Sequence, residues 1–261
     1  MYNAPLFFFD LETTGADIDS DSTVQIAYKR CGEDSEPSVG SLLLNPQQHI
    51  DPKASAVHGY TDDDVRDKPT FDTYADMLYS LADGAIWCGY NNYRFDVPIF
   101  KREFKRAGKK IPKPAGIIDC YKIFTHYYGK SRKRGQRTLM AAHLRYCGAE
   151  FDDAHDALAD IEATYDVLDA QIDVHSDSLT LEYAMDISSR PELDIDRRGF
   201  FKFDYNKRAP ICAMGKYAGV PMDKVPSSYY QWIADNDTFA PDTRNIALNA
   251  VIGVFPVWQE K

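Results

Sequence analysis

The first apolar run of the chain ends in an acid. Leu6-Phe7-Phe8-Phe9-Asp10 shows no polar alternation, which is the form of a central strand buried on both faces. Val24-Gln25-Ile26-Ala27-Tyr28 alternates and predicts a neighbouring strand, and Ser41-Leu42-Leu43-Leu44 predicts another before Asn45-Pro46. Thr61 followed by Asp62, Asp63 and Asp64 reads as a helix start with acids in the first turn. Phe71, Tyr74, Leu78 and Leu81 recur at helical spacing through Thr70 to Leu81. Ala85 to Cys88 predicts a strand, Asp96 to Ala107 a helix, and Gly116 to Asp119 a further short strand. Helices are expected around Leu139–Cys147 and His155–Ile172. Strands first, then strands alternating with helices, imply an α/β fold with a mixed sheet and helices on both faces.

The texture changes after Ile172. Residues 173–199 are acid-rich and weakly periodic, broken by Arg190-Pro191 and Arg197-Arg198-Gly199. Beyond them Phe201 and Phe203 alternate, Gly215 to Gly219 reads as a turn, and Tyr229, Tyr230 and Trp232 fall on a helix. The expected organisation is a domain over 1–173, a linker over 174–198 and a small α+β module over 199–261.

At 261 residues the chain is long enough for this division. No apolar run approaches the roughly 20 residues of a membrane span, and Met1-Tyr2-Asn3-Ala4-Pro5 lacks the basic start of an export signal. The expectation is a cytoplasmic protein with no membrane partner. The five cysteines are scattered and never spaced as a metal-binding pair, so they read as reduced thiols rather than zinc ligands. A net charge of −10 argues against coating nucleic acid by charge alone. Basic residues are nevertheless concentrated in two stretches, Lys101 to Lys113 and Lys130 to Arg137, which read either as solvated faces or as local nucleic-acid contacts.

The candidate chemistry begins where the first strand ends. Side chains two apart on an extended segment point the same way, so Asp10 and Glu12 share one face. Two adjacent acids repel unless a cation sits between them. An isolated pair of this kind is ordinarily surface decoration, but this one terminates a run of three phenylalanines. Asp96 stands just after a predicted strand at a helix start, where the helix N-terminus alone also favours an acid. His155 and Asp160 are five apart, about 140° around a helix, so they cannot share a face of a regular helix. His155 is therefore expected in the entry turn and Asp160 on the helix proper, with Asp156 as a competing ligand. A histidine titrating near pH 6.5 suits the deprotonation of water. Several acids converging from different elements suit hard divalent cations and phosphodiester hydrolysis.

Asp10-Leu11-Glu12-Thr13-Thr14-Gly15, then Asn92-Tyr93-Arg94-Phe95-Asp96, then His155 with Asp160, resemble the three exonuclease motifs of the DnaQ-like superfamily, in its branch with four acids and a histidine. The resemblance covers residues 6 to about 172. Each motif is weak alone, while the ordered set is highly specific. Gly89 to Asp96 and Ala154 to Thr164 are very similar to the second and third motifs of bacterial exonuclease I, a single-strand DNA exonuclease. The stretch from Phe201 to Trp232 resembles the tail of exonuclease X and related modules. The long C-terminal half of exonuclease I has no counterpart here, so its processivity is not part of the expectation.

The resemblance implies an RNase H-like mixed five-stranded sheet flanked by helices, and a 3′-to-5′ exodeoxyribonuclease that releases nucleoside 5′-monophosphates from DNA 3′ ends, single strands favoured. Asp10, Glu12, Asp96 and Asp160 would hold two Mg²⁺ or Mn²⁺ ions, with Asp10 bridging, and His155 would be the general base. Thr13, the backbone beside Leu11, and the region of Phe95 would contact the terminal nucleotide. His58 would approach the substrate end, unless it is a plain turn histidine. Asn92 fits the asparagine of the second motif, with adjacent Asn91 leaving that register open, and Arg137 would bind a phosphate. In the tail, Lys216, Tyr217, Tyr229, Tyr230 and Trp232 either stack on bases or, as favoured here, form the core of a small domain that serves substrate or a protein partner. The rivals are an RNA exonuclease using the same site, an RNase H-type endonuclease, and a nucleic-acid-binding protein with vestigial acids.

Overall fold

The computed structural model describes residues 4–32, 35–128, 137–151, 157–189, 195–196, 199–204 and 207–258. The chain divides into two compact units, Met1–Arg190 and Pro191–Lys261. In the first, β1 (Leu6–Thr13), β2 (Thr23–Gly32) and β3 (Ser35–Leu43) form an antiparallel meander. Two short helices, α1 (Pro52–His58) and α2 (Asp62–Val65), lead to α3 (Phe71–Ala82). Then come β4 (Ile86–Gly89), α4 (Asp96–Arg106), β5 (Gly116–Asp119), α5 (Cys120–Tyr128), α6 (Leu139–Cys147), α7 (Ala157–Val174) and α8 (Leu181–Ser189). The sheet order is β3-β2-β1-β4-β5, with β4 parallel to β1 and β5 parallel to β4, as the mixed five-stranded expectation requires.

The unbroken apolar run of β1 follows from burial on both faces. Leu6 and Phe8 enter a cluster with Ile118, Ile123, Ile161, Val167 and Ile187 of β5, α5, α7 and α8. Phe7, Phe9 and Leu11 enter another with Trp87, Phe71, Leu78, Phe100 and Phe104 of β4, α3 and α4. Phe100 lies within 4.8–6.3 Å, centroid to centroid, of five other aromatic rings, those of Phe7, Phe9, Phe71, Trp87 and Phe104. The first basic stretch, on and after α4, is largely tied to the protein. Arg106 pairs with Glu103 at 2.8 Å, Lys109 with Asp76 at 2.8 Å, and Lys110 lies over Tyr79. Most of the second stretch lies outside the described residues.

Glu103 is 1% exposed and joins α4 to β2, its Oε1 accepting the Thr23 N–H at 2.9 Å while Oε2 pairs with Arg106. Glu103→Ala strands a buried backbone N–H together with the Arg106 guanidinium. It should cost about 2 kcal/mol of stability in a denaturant titration, the scale of an orphaned buried partner.

Two differences from the expected elements have physical reasons. α5 follows β5 without any intervening turn residue, so no punctuation marks it. α8 occupies part of the stretch expected to be a linker, and packs on β5 and α5. Its buried positions include only Ala184, Ile187 and Ser188, too little apolar surface to stand out among acids. The helix expected over His155–Ile172 is described from Ala157 to Val174; His155 and Asp156 lie outside the described residues.

The second unit pairs β6 (Phe201–Asp204) with β7 (Ala209–Cys212) and adds α9 (Ser227–Asp235) and α10 (Pro241–Val251). Phe201, Cys212, Met222, Tyr230, Ile233 and Ala247 form its core. Buried Asp196 ties it together, accepting the Phe201 N–H at 2.7 Å and the Thr243 hydroxyl at 2.6 Å. Tyr230, 1% exposed, donates its hydroxyl to the Met222 carbonyl and is a core residue, whereas Trp232 is 52% exposed and stacks on Tyr229 at 5.5 Å. Among the described residues no helix is long and apolar enough to cross a membrane.

Candidate active site

Asp10 and Glu12 continue the Leu6–Phe8 face of β1, the face that α7 covers. Asp160 projects from the first turn of α7. Asp96 opens α4 just beyond β4, at the same edge of the sheet, because β1, β4 and β5 run parallel. β4 pairs with β1 only as far as Phe8 opposite Cys88. Farther along, the N–H of Leu11 is taken by the Asp96 carboxylate at 3.0 Å, which fixes that side chain beside the β1 acids.

The electrostatics of the four acids are mutually unfavourable. Burial pushes the Asp10 carboxyl well above the usual carboxylate range, and Asp160 pushes it further. Glu12 rises to about 8, through burial first and then through Asp10 and Asp160. Asp96 rises through burial and through Asp10, opposed by the Leu11 N–H. Asp10 is thus the member that Glu12, Asp96 and Asp160 all share. Among the described residues no three acid, histidine or cysteine side chains close on one point as a finished ligand set. What the site offers is four carboxylates within electrostatic reach of one another. Hard oxygen donors whose charges repel fit a hard divalent cation, which would offset both the repulsion and the burial.

The expected substrate contacts fare unevenly. The Leu11 side chain is in the core and its N–H is committed to Asp96. Thr13 is 5% exposed, its hydroxyl donating to the Gly15 carbonyl at 2.6 Å. Asn92 is fully buried against Gly89, where a Cβ would stand 2.6 Å from the Asn92 Cβ, and neither amide atom has a hydrogen-bond partner among the described residues. As placed, the Leu11 N–H and the Thr13 hydroxyl proton are already committed, and the Asn92 amide is sealed inside. Exposed Asn91 is the asparagine that faces outward.

His58 is half-buried at the end of α1. Its Nδ1 accepts the Tyr60 N–H at 3.1 Å, so the ring is neutral with the proton on Nε2, which donates to the Thr13 carbonyl at 3.2 Å. Burial lowers its pKa, partly opposed by that bond. Both ring nitrogens are engaged, and the histidine acts as a clamp on the exit of β1 rather than as a free ligand. Phe95 is half-buried at the cap of α4. Arg137 is exposed, with Nη1 donating to the Tyr121 hydroxyl at 3.1 Å. Two residues that carry this edge escaped the sequence reading: Asp119 and Ser188, buried at the end of β5 and on α8. A lone acid and a lone serine leave no pattern to find.

The family model described as Exonuclease (RNase_T) matches residues 7–168. Protein NEN2 of Arabidopsis thaliana is 30% identical over 170 residues, which is 62% of this chain and 34% of that protein. This chain therefore spans about a third of the length of that relative. Among solved structures, an Escherichia coli exonuclease I bound to single-stranded DNA superposes with a TM-score of 0.57 at 23% identity, over 70% of this chain and 43% of that one. Exonuclease X in complex with 5′-overhanging duplex DNA gives 0.51 at 21% identity, over 70% of this chain and 99% of that one. The family match runs from the β1 acids through Asp96 to the helix that bears Asp160, across most of the first compact unit, and by it this chain belongs to the exonuclease family.

Proposed function

We propose that this chain hydrolyses DNA from the 3′ end, favouring single strands and releasing nucleoside 5′-monophosphates. The observation that carries the reading is the gathering of Asp10, Glu12, Asp96 and Asp160, from β1, α4 and α7, around Asp10, where burial first, and then the charges of Asp10 and Asp160, raise the carboxyl pKa values. Such a group is unfavourable on its own and is accounted for by bound cations. Asp10, Glu12, Asp96 and Asp160 are the ligands in this reading, and two Mg²⁺ or Mn²⁺ ions would supply charge neutralisation on the scissile phosphate and activation of water and leaving oxygen.

The remaining steps belong to the chain's own residues. In this reading His155, five residues before Asp160 in sequence, takes the proton of the attacking water, a task that a histidine side chain suits at neutral pH. The His58 clamp on Thr13 and the Asp96 bond to Leu11 hold the exit of β1 rigid, so that Asp10 would present its carboxylate to a cation without reorganising. Arg137 and the face of Phe95 are the contacts for the strand. The preference for single strands is supported by the likeness of the second and third motifs to exonuclease I. The exonuclease X likeness supports duplex ends with overhangs as the second reading.

The test is a time course on 5′-labelled single-stranded DNA, on a duplex with a 5′ overhang, and on RNA, each with Mg²⁺ or EDTA. A ladder shortening from the 3′ end, fastest on single-stranded DNA and silent in EDTA, is the expected result. A ladder on RNA alone would keep the chemistry and change the substrate. No shortening of any strand in Mg²⁺ would sink the enzyme reading.

A further inference from the structure

Asp119 closes β5 and is 1% exposed, yet the chemistry above makes no use of it. Its Oδ1 accepts two backbone N–H groups, that of Tyr121 at 3.1 Å and that of Asn91 at 2.8 Å. The first is the ordinary capping bond of an acid that opens a helix, here α5. The second is not local. It spans 28 residues of sequence, to the turn between β4 and α4.

Asn91 stands in the left-handed region with φ 60°, which asparagine enters more readily than other residues with a side chain, and its N–H is the one that Asp119 takes. From there the chain carries the Asn92 side chain into the interior, and the Asn92 carbonyl accepts the Val97 N–H at 2.9 Å. Asp96 is the next residue back, with its carboxylate on the Leu11 N–H. A short hydrogen-bonded path therefore runs from Asp119 to the carboxylate that faces Asp10.

The anchor is itself held. The Asp119 N–H donates to Ser188 Oγ at 2.8 Å, and that hydroxyl donates to the Ala184 carbonyl at 2.7 Å within α8. Asp119 also lies close enough to Asp96 to disfavour its charge. A residue kept only to cap α5 has no need to stand there, since asparagine or serine caps as well without a charge.

We propose that Asp119 is a positioning residue for the acidic centre, holding the Tyr90–Tyr93 turn in the left-handed form at Asn91 that presents Asp96 to Asp10. The inference rests on the reading of Asp96 as a cation ligand. Supports of this kind typically govern metal affinity by roughly 10–100-fold.

Full-length wild type, Asp119→Ala and Asp119→Asn, stripped with EDTA and dialysed, are titrated with Mn²⁺ in a calorimeter. Amide hydrogen exchange is followed over residues 89–96. Asp119→Ala should weaken Mn²⁺ binding by roughly 10–100-fold and speed exchange in that segment, with β2 and β3 unchanged. Asp119→Asn retains an Oδ1 that accepts both N–H groups and should stay near wild type in both readings; a mere effect of charge would not be rescued in this way, and a mere loss of the α5 cap would not speed exchange over residues 89–96. Wild-type affinity in Asp119→Ala would overturn the role of Asp119 alone. Failure of the wild type to bind Mn²⁺ would sink the reading of the site and this role with it. Should Asp119→Ala fail to fold, Ser188→Ala decides: weaker Mn²⁺ binding supports the path, and an unchanged value overturns it.

Discussion

Asp10→Ala should lower the rate of nucleotide release by roughly 100–1,000-fold, the scale of losing one preorganised electrostatic stabiliser. The expectation follows from where Asp10 stands rather than from its being acidic. Its charge is felt by both Glu12 and Asp96, and Asp160 acts on it in turn. In the proposed reading, removing it takes away the one carboxylate that the other three share. The same substitution should leave the metal-free protein as stable as wild type or more stable at neutral pH, because a buried and repelled carboxyl disappears. The pairing of β1 with β2 is backbone to backbone and does not depend on that side chain. The measurement is a single-turnover rate on a 5′-labelled oligonucleotide together with a melting curve in EDTA. Activity within tenfold of wild type, in a folded variant, would remove Asp10 from the centre and dissolve the reading of the site. A collapse of the melting temperature would make it a structural acid instead.

The parts of this protein that could be read from sequence share one property: their signals are local. β1 is legible because both faces are buried, so Leu6 to Asp10 needed no partner to be recognised as strand, with Glu12 at its exit. Asp10 and Glu12 are legible because charge directly after Phe7-Phe8-Phe9 conflicts with that burial. α3 and α4 carry large aromatic and aliphatic side chains at helical spacing. The parts that were missed depend on distant partners. Asn92 belongs to a recognisable motif, yet only the close approach of Gly89 shows that its amide is sealed inside. His58 looks like a ligand in sequence, and becomes a clamp once Thr13, 45 residues away, is seen to take its Nε2 proton. α8 and α10 bury mainly small or polar residues, Ala184 and Ser188 in one, Thr243, Ala247 and Ala250 in the other, and so lack an apolar stripe. Part of the expected linker is α8 for the same reason: its buried residues, Ala184, Ile187 and Ser188, are few and mostly small.

The second large effect is a dependence of stability on pH that a divalent cation should reverse. Glu12 is held at about 8 in the folded protein against 4.5 ordinarily, and Asp10 is raised in the same sense. Between those limits the folded state binds more protons than the unfolded chain, so stability must fall as pH rises. Other groups restrict the window in which this can be seen. Asp62, Asp64 and Asp83 are lowered from 3.8, act in the opposite sense, and have finished titrating above that value. His58 and His175 are lowered from 6.5, so they favour the folded state as pH rises, but only up to about that point. Asp119 is raised to about 6 and is ionised in both states beyond it. From pH 6.5 to 8 the acids of the centre, Glu12 and Asp10 with Asp96 raised beside them, are left to set the slope. One extra proton held over that interval amounts to about 2 kcal/mol, or roughly 4–8 °C in the melting temperature of a domain of this size. The metal-free protein should therefore melt lower at pH 8 than at pH 6.5, and Glu12→Gln should flatten the difference. Saturating Mg²⁺ should raise the melting temperature more at pH 8, because the cation competes with the protons that the acids otherwise retain. A melting temperature in EDTA that is level or rising over this interval, and unaltered by Glu12→Gln, would mean that the acids are already ionised without a cation and that the site is not strained toward binding one.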